Sequence, residues 1–298
     1  MYYIGVDLGG TNIAVGITDE TGKLLHKDSI PTGADRGPDE VVKDMAGLVK
    51  KVVADFGTSF DEVGYIGIGT PGTADRDNGV VIFANNLKFY DYPLAAKLKE
   101  FSGFTKDVLI ENDANAAAKG EAASGAAKGY ANSVMITLGT GVGGGIIIDG
   151  KLYKGKSGAA GEMHFKMRTD KHRKCTCGSW DCFEAYASGT GLKLTAEEIS
   201  GDKEITTYDV IENLDRPIMK KIFNVWQNDI LEGIIGLANL FDPDCVVLSG
   251  SMAEFVDIEY LEREANSQIV TQPFKVVKAS AGNYSGMIGA GLLALGVR

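Results

Sequence analysis

YYIGVDLGGTNIAVGIT at residues 2–18 and SVMITLGTGVGGGIIID at residues 133–149 decide the fold. Each opens on an apolar, β-rich run, breaks at a glycine-rich turn and resumes as a second apolar run, a pattern that spells strand, tight turn, strand. In the first copy the strands are expected at 2–8 and 13–18 around Gly9–Thr11. In the second they are expected at 133–138 and 145–149 around Gly139–Gly145. A third strand follows in both, at 23–30 after the turn Asp19–Gly22, and from Lys151 after the hairpin dipeptide Asp149-Gly150. What repeats is the organisation rather than the detailed sequence.

The chemistry these turns suit is phosphate binding. Phosphate oxygens need convergent donors, which successive backbone N–H groups supply, and glycine lets the backbone approach closely. Gly9, Gly10, Thr11 and Asn12 form one such cradle and Thr140 with Gly141 the other, with hydroxyls from Thr11 and Thr140. Asp7 ends the first strand, where a carboxylate can hold Mg²⁺ through water. A single glycine-rich turn is as readily an ordinary hairpin; two at matching places are far more specific. Neither fits a P-loop, and neither runs straight into the helix that a dinucleotide fingerprint requires.

The remaining chain mixes both periodicities. Val41, Val42, Met45, Leu48, Val49, Val52 and Val53 recur at helical spacing over 38–56, between Pro38 and Gly57. Strands are expected at 63–68, 80–83, 107–111, 245–249 and 274–279. Helices are expected at 93–101, 114–123, 184–199, 216–241, 257–268 and from Ser285. Two related halves of this kind imply an α/β protein of two domains with a central cleft. The smaller is expected over 1–113, with the last helix 285–298 packing back onto it, and the larger over 114–284.

Composition narrows the partners. Of 298 residues, 44% are hydrophobic and 23% charged, an ordinary globular balance, and the formal net charge of −10 comes with no basic stripe. That argues against nucleic acid and anionic membrane as partners, and leaves a nucleotide open, because phosphate sites are built locally. The N-terminus lacks the basic and apolar regions of a signal peptide, and no apolar run is long enough to span a membrane. Cys175, Cys177 and Cys182 crowd into eight residues while Cys245 lies alone. That spacing offers three thiolates to one tetrahedral Zn²⁺ and fits a reducing, cytoplasmic setting better than a disulfide framework.

DLGGTN at 7–12, GTPG at 69–72, ENDANAAAKGE at 111–121, LGTGVGGGIIIDG at 138–150, SGAAGE at 157–162, CTCGSWDCFE at 175–184 and NLFDPDCVVLSGS at 239–251 together resemble the ROK family of sugar kinases. That family lies within the hexokinase/actin-like ATPase superfamily. The resemblance implies two actin-like (ribonuclease H-like) α/β domains and ATP-dependent transfer of a phosphoryl group to the 6-hydroxyl of a hexose. The acceptor that the resemblance implies is glucose or an N-acetylhexosamine such as N-acetylglucosamine or N-acetylmannosamine. It implies Asp113 as the general base, a residue that as a strand–helix junction also reads as an N-cap. It implies Gly72, Asn86, Asn112, Asp113, Glu162, His164 and Glu184 at the sugar, and Gly250 in an adenosine-binding turn, where this chain has a short SGS. A homodimer is implied by family habit and by the apolar stripe of 216–241, which reads equally as core.

Two departures from the family pattern stand out. The family's zinc-binding histidine, in E-x-G-H, falls on Phe165 of Glu162-Met163-His164-Phe165, and Asp181 stands where the family commonly has glycine. The fourth ligand is then His164 through a local shift, or His172, or the zinc is weak or absent. The stretch KFYDYP after Leu87 also differs from the usual sugar-side loop. A non-catalytic sugar or nucleotide sensor on the same fold is the alternative reading. A sugar-responsive repressor is not expected, since the phosphate-binding strand starts at Tyr2 without a DNA-binding segment ahead of it and the charge is acidic.

Overall fold

The computed structural model describes residues 1–167 and 172–295. In chain order the elements are β1 (Tyr2–Leu8), β2 (Asn12–Thr18), β3 (Leu24–Pro31), α1 (Pro38–Phe56), β4 (Val63–Thr70), β5 (Thr73–Asp75), β6 (Val80–Ala84), β7 (Phe89–Tyr92), α2 (Leu94–Ser102), β8 (Asp107–Asn112), α3 (Asp113–Ser124), β9 (Ser133–Leu138), β10 (Val142–Ile148), β11 (Lys151–Leu152), α4 (Glu184–Ala187), α5 (Gly189–Ser200), α6 (Thr207–Ile211), α7 (Pro217–Phe241), β12 (Cys245–Ser249), α8 (Ile258–Asn266), β13 (Lys275–Lys278) and α9 (Ser285–Gly291).

The two sequence halves give sheets of one topology. The first has the order β3-β2-β1-β4-β8 and the second β11-β10-β9-β12-β13, so strand for strand the repeat is the same. β1 pairs antiparallel with β2 and parallel with β4. β9 and β13 both pair parallel with β12. The second hairpin closes at Asp149-Gly150, both in the left-handed region at φ 51° and 69°, as a two-residue turn demands. A separate three-stranded sheet, β5-β6-β7, carries the segment after Gly72.

Contacts divide the chain into two units. The first contains Met1–Ala131, Gly145–Gly161 and the stretch from Ser280; the second contains Asn132–Gly144 and Glu162–Ala279. This differs from a boundary at residue 113. The whole of α3 belongs with the first unit because it packs on α9, and the chain re-enters that unit at 145–161.

In the first unit the apolar stripe of α1 is fully internal, every expected position from Val41 to Val53 being buried. α9 is seated by backbone-to-backbone approach. A Cβ on Gly289 would lie 1.7 Å from the carbonyl oxygen of Ala116, and one on Gly5 would lie 1.8 Å from that of Met287. The buried carboxylate of Glu121 locks the entry to α9 by accepting the N–H groups of Ser280 and Ala281, both at 3.0 Å.

In the second unit α7 supplies the core residues Ile222, Trp226, Ile230 and Ile234, so its stripe is internal to the unit. The helix expected over 184–199 is broken at Ser188, whose side chain caps α5 by accepting the Gly191 N–H. The strand expected at 145–149 begins earlier, at Val142, and the glycine turn tightens to 139–141. Among the described residues no helix is long and apolar enough to cross a membrane.

Candidate active site

In the first unit the glycine turn follows the end of β1. Gly9 N–H donates to the Asn12 carbonyl at 2.9 Å, and Thr32 Oγ1 donates to the Gly9 carbonyl at 2.7 Å, which pins the turn to the end of β3. Asp7 and Gly9–Asn12 line a pocket of ≈ 770 Å³ together with Lys27 and Tyr284. The Lys27 ammonium donates to Tyr284 Oη at 3.0 Å. Neither residue was expected here, since only the fold brings positions 27 and 284 together. Burial, reinforced by the charge of Asp113, pushes the Asp7 carboxyl up to about 6.

Asp113 opens α3 directly after β8. Burial raises its proton affinity, opposed by the Ala114 N–H that its Oδ1 accepts at 2.8 Å. It is not the N-cap. Asn112 is, its Oδ1 accepting from Ala114 and Asn115 N–H at 3.0 and 3.2 Å. The Asn112 amide also donates to the Gly72 carbonyl at 3.4 Å, joining two of the expected sugar residues. Gly72 has φ 83°, and a Cβ there would lie 2.0 Å from the Phe83 carbonyl oxygen, so nothing but glycine fits. Asn86 lies exposed in a single 3₁₀ turn at Asn85–Leu87, its amide beside Gly10. The stretch expected to reshape the loop forms β7, whose exposed Tyr90 pairs across the sheet with Phe83.

In the second unit the turn at Gly139–Gly141 is gathered in by its neighbours. Gly189 N–H donates to the Gly139 carbonyl at 2.8 Å, and Thr190 Oγ1 to the Thr140 carbonyl at 2.7 Å. Gly250, at φ 87°, packs so closely on the end of β9 that a Cβ would lie 2.3 Å from the Leu138 carbonyl oxygen. Glu184 bridges this turn to the cysteine loop. One carboxylate oxygen accepts Val142 N–H at 3.1 Å; the other lies against Thr176 Oγ1 and 3.4 Å from Cys175 Sγ.

Ligand atoms of His164, Cys175, Cys177 and Cys182 all lie within 4.8 Å of one another. The Cys177–Cys182 sulfur separation is 3.6 Å, and His164 Nδ1 is 3.6 Å from Cys175 Sγ. Those are edge lengths of a tetrahedron around a cation with Zn–S bonds of about 2.3 Å, whose edges are about 3.7 Å. The residues therefore fit zinc. His172 is elsewhere, exposed, with Nδ1 2.9 Å from Asp181. The shifted register has a packing cause: the Phe165 ring stacks on buried Phe183 at 5.0 Å, and Met163 is buried, so the residue between them is left to face the sulfurs. His164 Nε2 lies 3.6 Å from Glu162, which ties an expected sugar residue to the cluster. Asp181 takes up the left-handed backbone at φ 59°, and its carboxylate accepts from Arg173 N–H and Tyr186 Oη at 3.0 and 2.7 Å.

A sequence model of the ROK family matches residues 3–297. An N-acetyl-D-glucosamine kinase of Vibrio cholerae is 34% identical over 310 residues, covering 98% of this chain and 99% of that protein. The ROK hexokinase of Thermus thermophilus superposes with a TM-score of 0.88 at 31% identity, over 98% of this chain and 97% of the other. A ROK family glucokinase of Streptomyces griseus, solved with glucose and AMPPNP, does so with a TM-score of 0.76 at 31% identity, over 98% of both chains.

Proposed function

The chain belongs to the ROK family and is a sugar kinase, and we propose that it transfers the γ-phosphoryl group of ATP to the 6-hydroxyl of glucose or an N-acetylhexosamine with Asp113 as the base. Phosphoryl transfer has a loose transition state, so the protein mainly positions groups and balances charge. The acceptor hydroxyl must lose its proton as the O–P bond forms. The observation that carries the reading is a carboxylate with raised proton affinity in the first turn of α3, relieved of the capping role by Asn112. It is a better proton acceptor than an exposed aspartate.

The polar groups of Asn86, Asn112, Glu162, Glu184 and His164 suit the fixed hydroxyl directions of a pyranose, since each buried hydroxyl needs a partner. The N–H groups at Gly9–Asn12 and Thr140–Gly141 suit phosphate oxygens, and Gly250 suits the adenosine. Mg²⁺, when bound, neutralises phosphate charge, and Asp7 is the carboxylate that would hold it, directly or through water. Cys175, Cys177, Cys182 and His164 would hold Zn²⁺, which cross-links the loop when bound. Engaging Nδ1 in this way fixes the His164 ring and leaves Nε2 facing Glu162.

A homodimer in the cytoplasm completes the proposal. Its partner surface lies outside the α7 stripe, which is core, and the four free thiols suit a reducing compartment. The test is ADP release from Mg²⁺·ATP, coupled to NADH oxidation, over glucose, fructose, mannose, N-acetylglucosamine and N-acetylmannosamine. One of glucose and the N-acetyl sugars should lead in kcat/KM. Absence of sugar-stimulated ADP release across the panel would contradict the proposal.

A further inference from the structure

The loop that follows Gly72 sends one side chain back under the entry to α3. Arg76, just beyond β5, donates from Nε to Glu111 Oε1 at 2.6 Å, and from Nη2 to the Gly158 carbonyl at 2.6 Å. Glu111 is wholly inaccessible and the Arg76 side chain only 14% exposed. The same Glu111 oxygen accepts the backbone N–H of Asn112 at 2.9 Å and the Asn115 amide at 3.2 Å. Its other oxygen has the Lys154 ammonium at 3.5 Å.

We propose that Arg76 is a positioning residue for phosphoryl transfer, acting through Glu111 to fix the backbone of Asn112 and so the aim of Asp113. This rests on the reading of Asp113 as the base.

Three observations carry it. First, Glu111 holds the peptide N–H of the residue before Asp113 and a side chain in the first turn of α3, so its carboxylate sets where that helix begins. Second, Arg76 is the close, well-aligned cation on that carboxylate, and its planar guanidinium directs Nε and Nη2 in fixed directions to Glu111 and Gly158, where an ammonium is a compact charge on a flexible stem. Third, Arg76 follows the turn whose Gly72 carbonyl receives the Asn112 amide, so one residue ties both sugar-side segments into one rigid body. Buried ion pairs contribute little net stability against an apolar replacement, while a half-removed pair leaves an uncompensated charge. Retaining this one is explained by geometry, since a misplacement of about 1 Å in a near-attack arrangement costs roughly 10²-fold in rate.

The test compares Arg76→Met, Arg76→Lys, Glu111→Gln and the double variant Arg76→Met/Glu111→Gln, with thermal midpoints and the ADP-release assay on the sugar that the wild type prefers. Arg76→Met should lose about 10²-fold in kcat with KM for ATP within about threefold. The double variant should recover at least about tenfold of that kcat. It removes the Glu111 charge together with the guanidinium that faces it, and the side-chain amide carbonyl that replaces the carboxylate can still accept the Asn112 N–H. Should Arg76→Met not fold, Arg76→Lys takes its place with the same expected direction. A merely structural staple predicts a lower thermal midpoint with kcat kept within about threefold in every folded variant, and that result overturns the proposal. Asp113→Asn in the same assay reports separately on the base: if it stays active, the reading of Asp113 fails whatever Arg76 does.

Discussion

Asn112 Oδ1 accepts the backbone N–H groups of Ala114 and Asn115, so the residue beside Asp113, and not Asp113 itself, caps α3. The cap and the proposed base are therefore carried by different residues, and the two substitutions should differ in what they cost. Removing the cap with Asn112→Ala is expected to cost about 1 kcal/mol of stability. Asp113→Asn is expected to cost 10²- to 10⁴-fold in kcat, roughly what a general base contributes, without loss of stability. Chemical denaturation and steady-state kinetics on both variants check this. An Asp113→Asn protein that keeps kcat within a few-fold contradicts the assignment of the base.

The electrostatics of the first unit predict a pH dependence of stability. Asp7 is raised from its ordinary 3.8 to about 6, by burial first and the charge of Asp113 second. A raised carboxyl binds its proton more tightly in the folded state. Its contribution is therefore fully present below about 4 and is lost as pH rises through about 6. In magnesium-free buffer, Asp7→Asn should be more stable than the wild type at pH 8, by up to about 2–3 kcal/mol at roughly 1.4 kcal/mol per pK unit. The gain should vanish toward pH 4. Urea midpoints at both pH values measure it; an equal gain at both would mean that burial of the charge is not the cause.

The cysteine loop gives a prediction that distinguishes two histidines. His164→Ala should lower zinc content and thermal stability, because its Nδ1 is one corner of the cluster. His172→Ala should change neither, since that ring is exposed and faces Asp181. Elemental analysis after dialysis decides between them, and retention of one zinc per chain in His164→Ala would remove it from the ligand set.

Gly72 offers a backbone test. Alanine at φ 83° with its Cβ against the Phe83 carbonyl should cost at least about 2 kcal/mol and raise KM for the sugar, because the Asn112 amide loses its acceptor in place. Calorimetry together with sugar titrations reads both effects. Unchanged stability would show that the turn relaxes freely.

Much of this architecture was written locally. A strand, a glycine turn and a strand are contiguous features, so β1–β2 and β9–β10 could be read directly, as could α1 between Pro38 and Gly57. The three cysteines sit within one short loop, and so announced their cluster. Non-local packing was not legible. His164 rather than Phe165 faces the sulfurs because Phe183 offers its ring to Phe165, a contact 18 positions away. Arg76 reaches Glu111 across 35 positions, and Lys27 reaches Tyr284 across 257, so no motif could pair them. The division by contacts differs from a boundary at 113 for the same reason, since α3 packs on α9, which comes from the far end of the chain.

Transfer of the labelled γ-phosphoryl group from ATP to glucose, N-acetylglucosamine and N-acetylmannosamine, with the product located by NMR, tests the central claim most directly. Wild-type protein should yield a 6-phosphate of at least one of the three sugars, and Asp113→Asn should yield it at least 10²-fold more slowly, in keeping with a lost general base. Label recovered only as inorganic phosphate, or a variant that matches the wild type, would contradict the account.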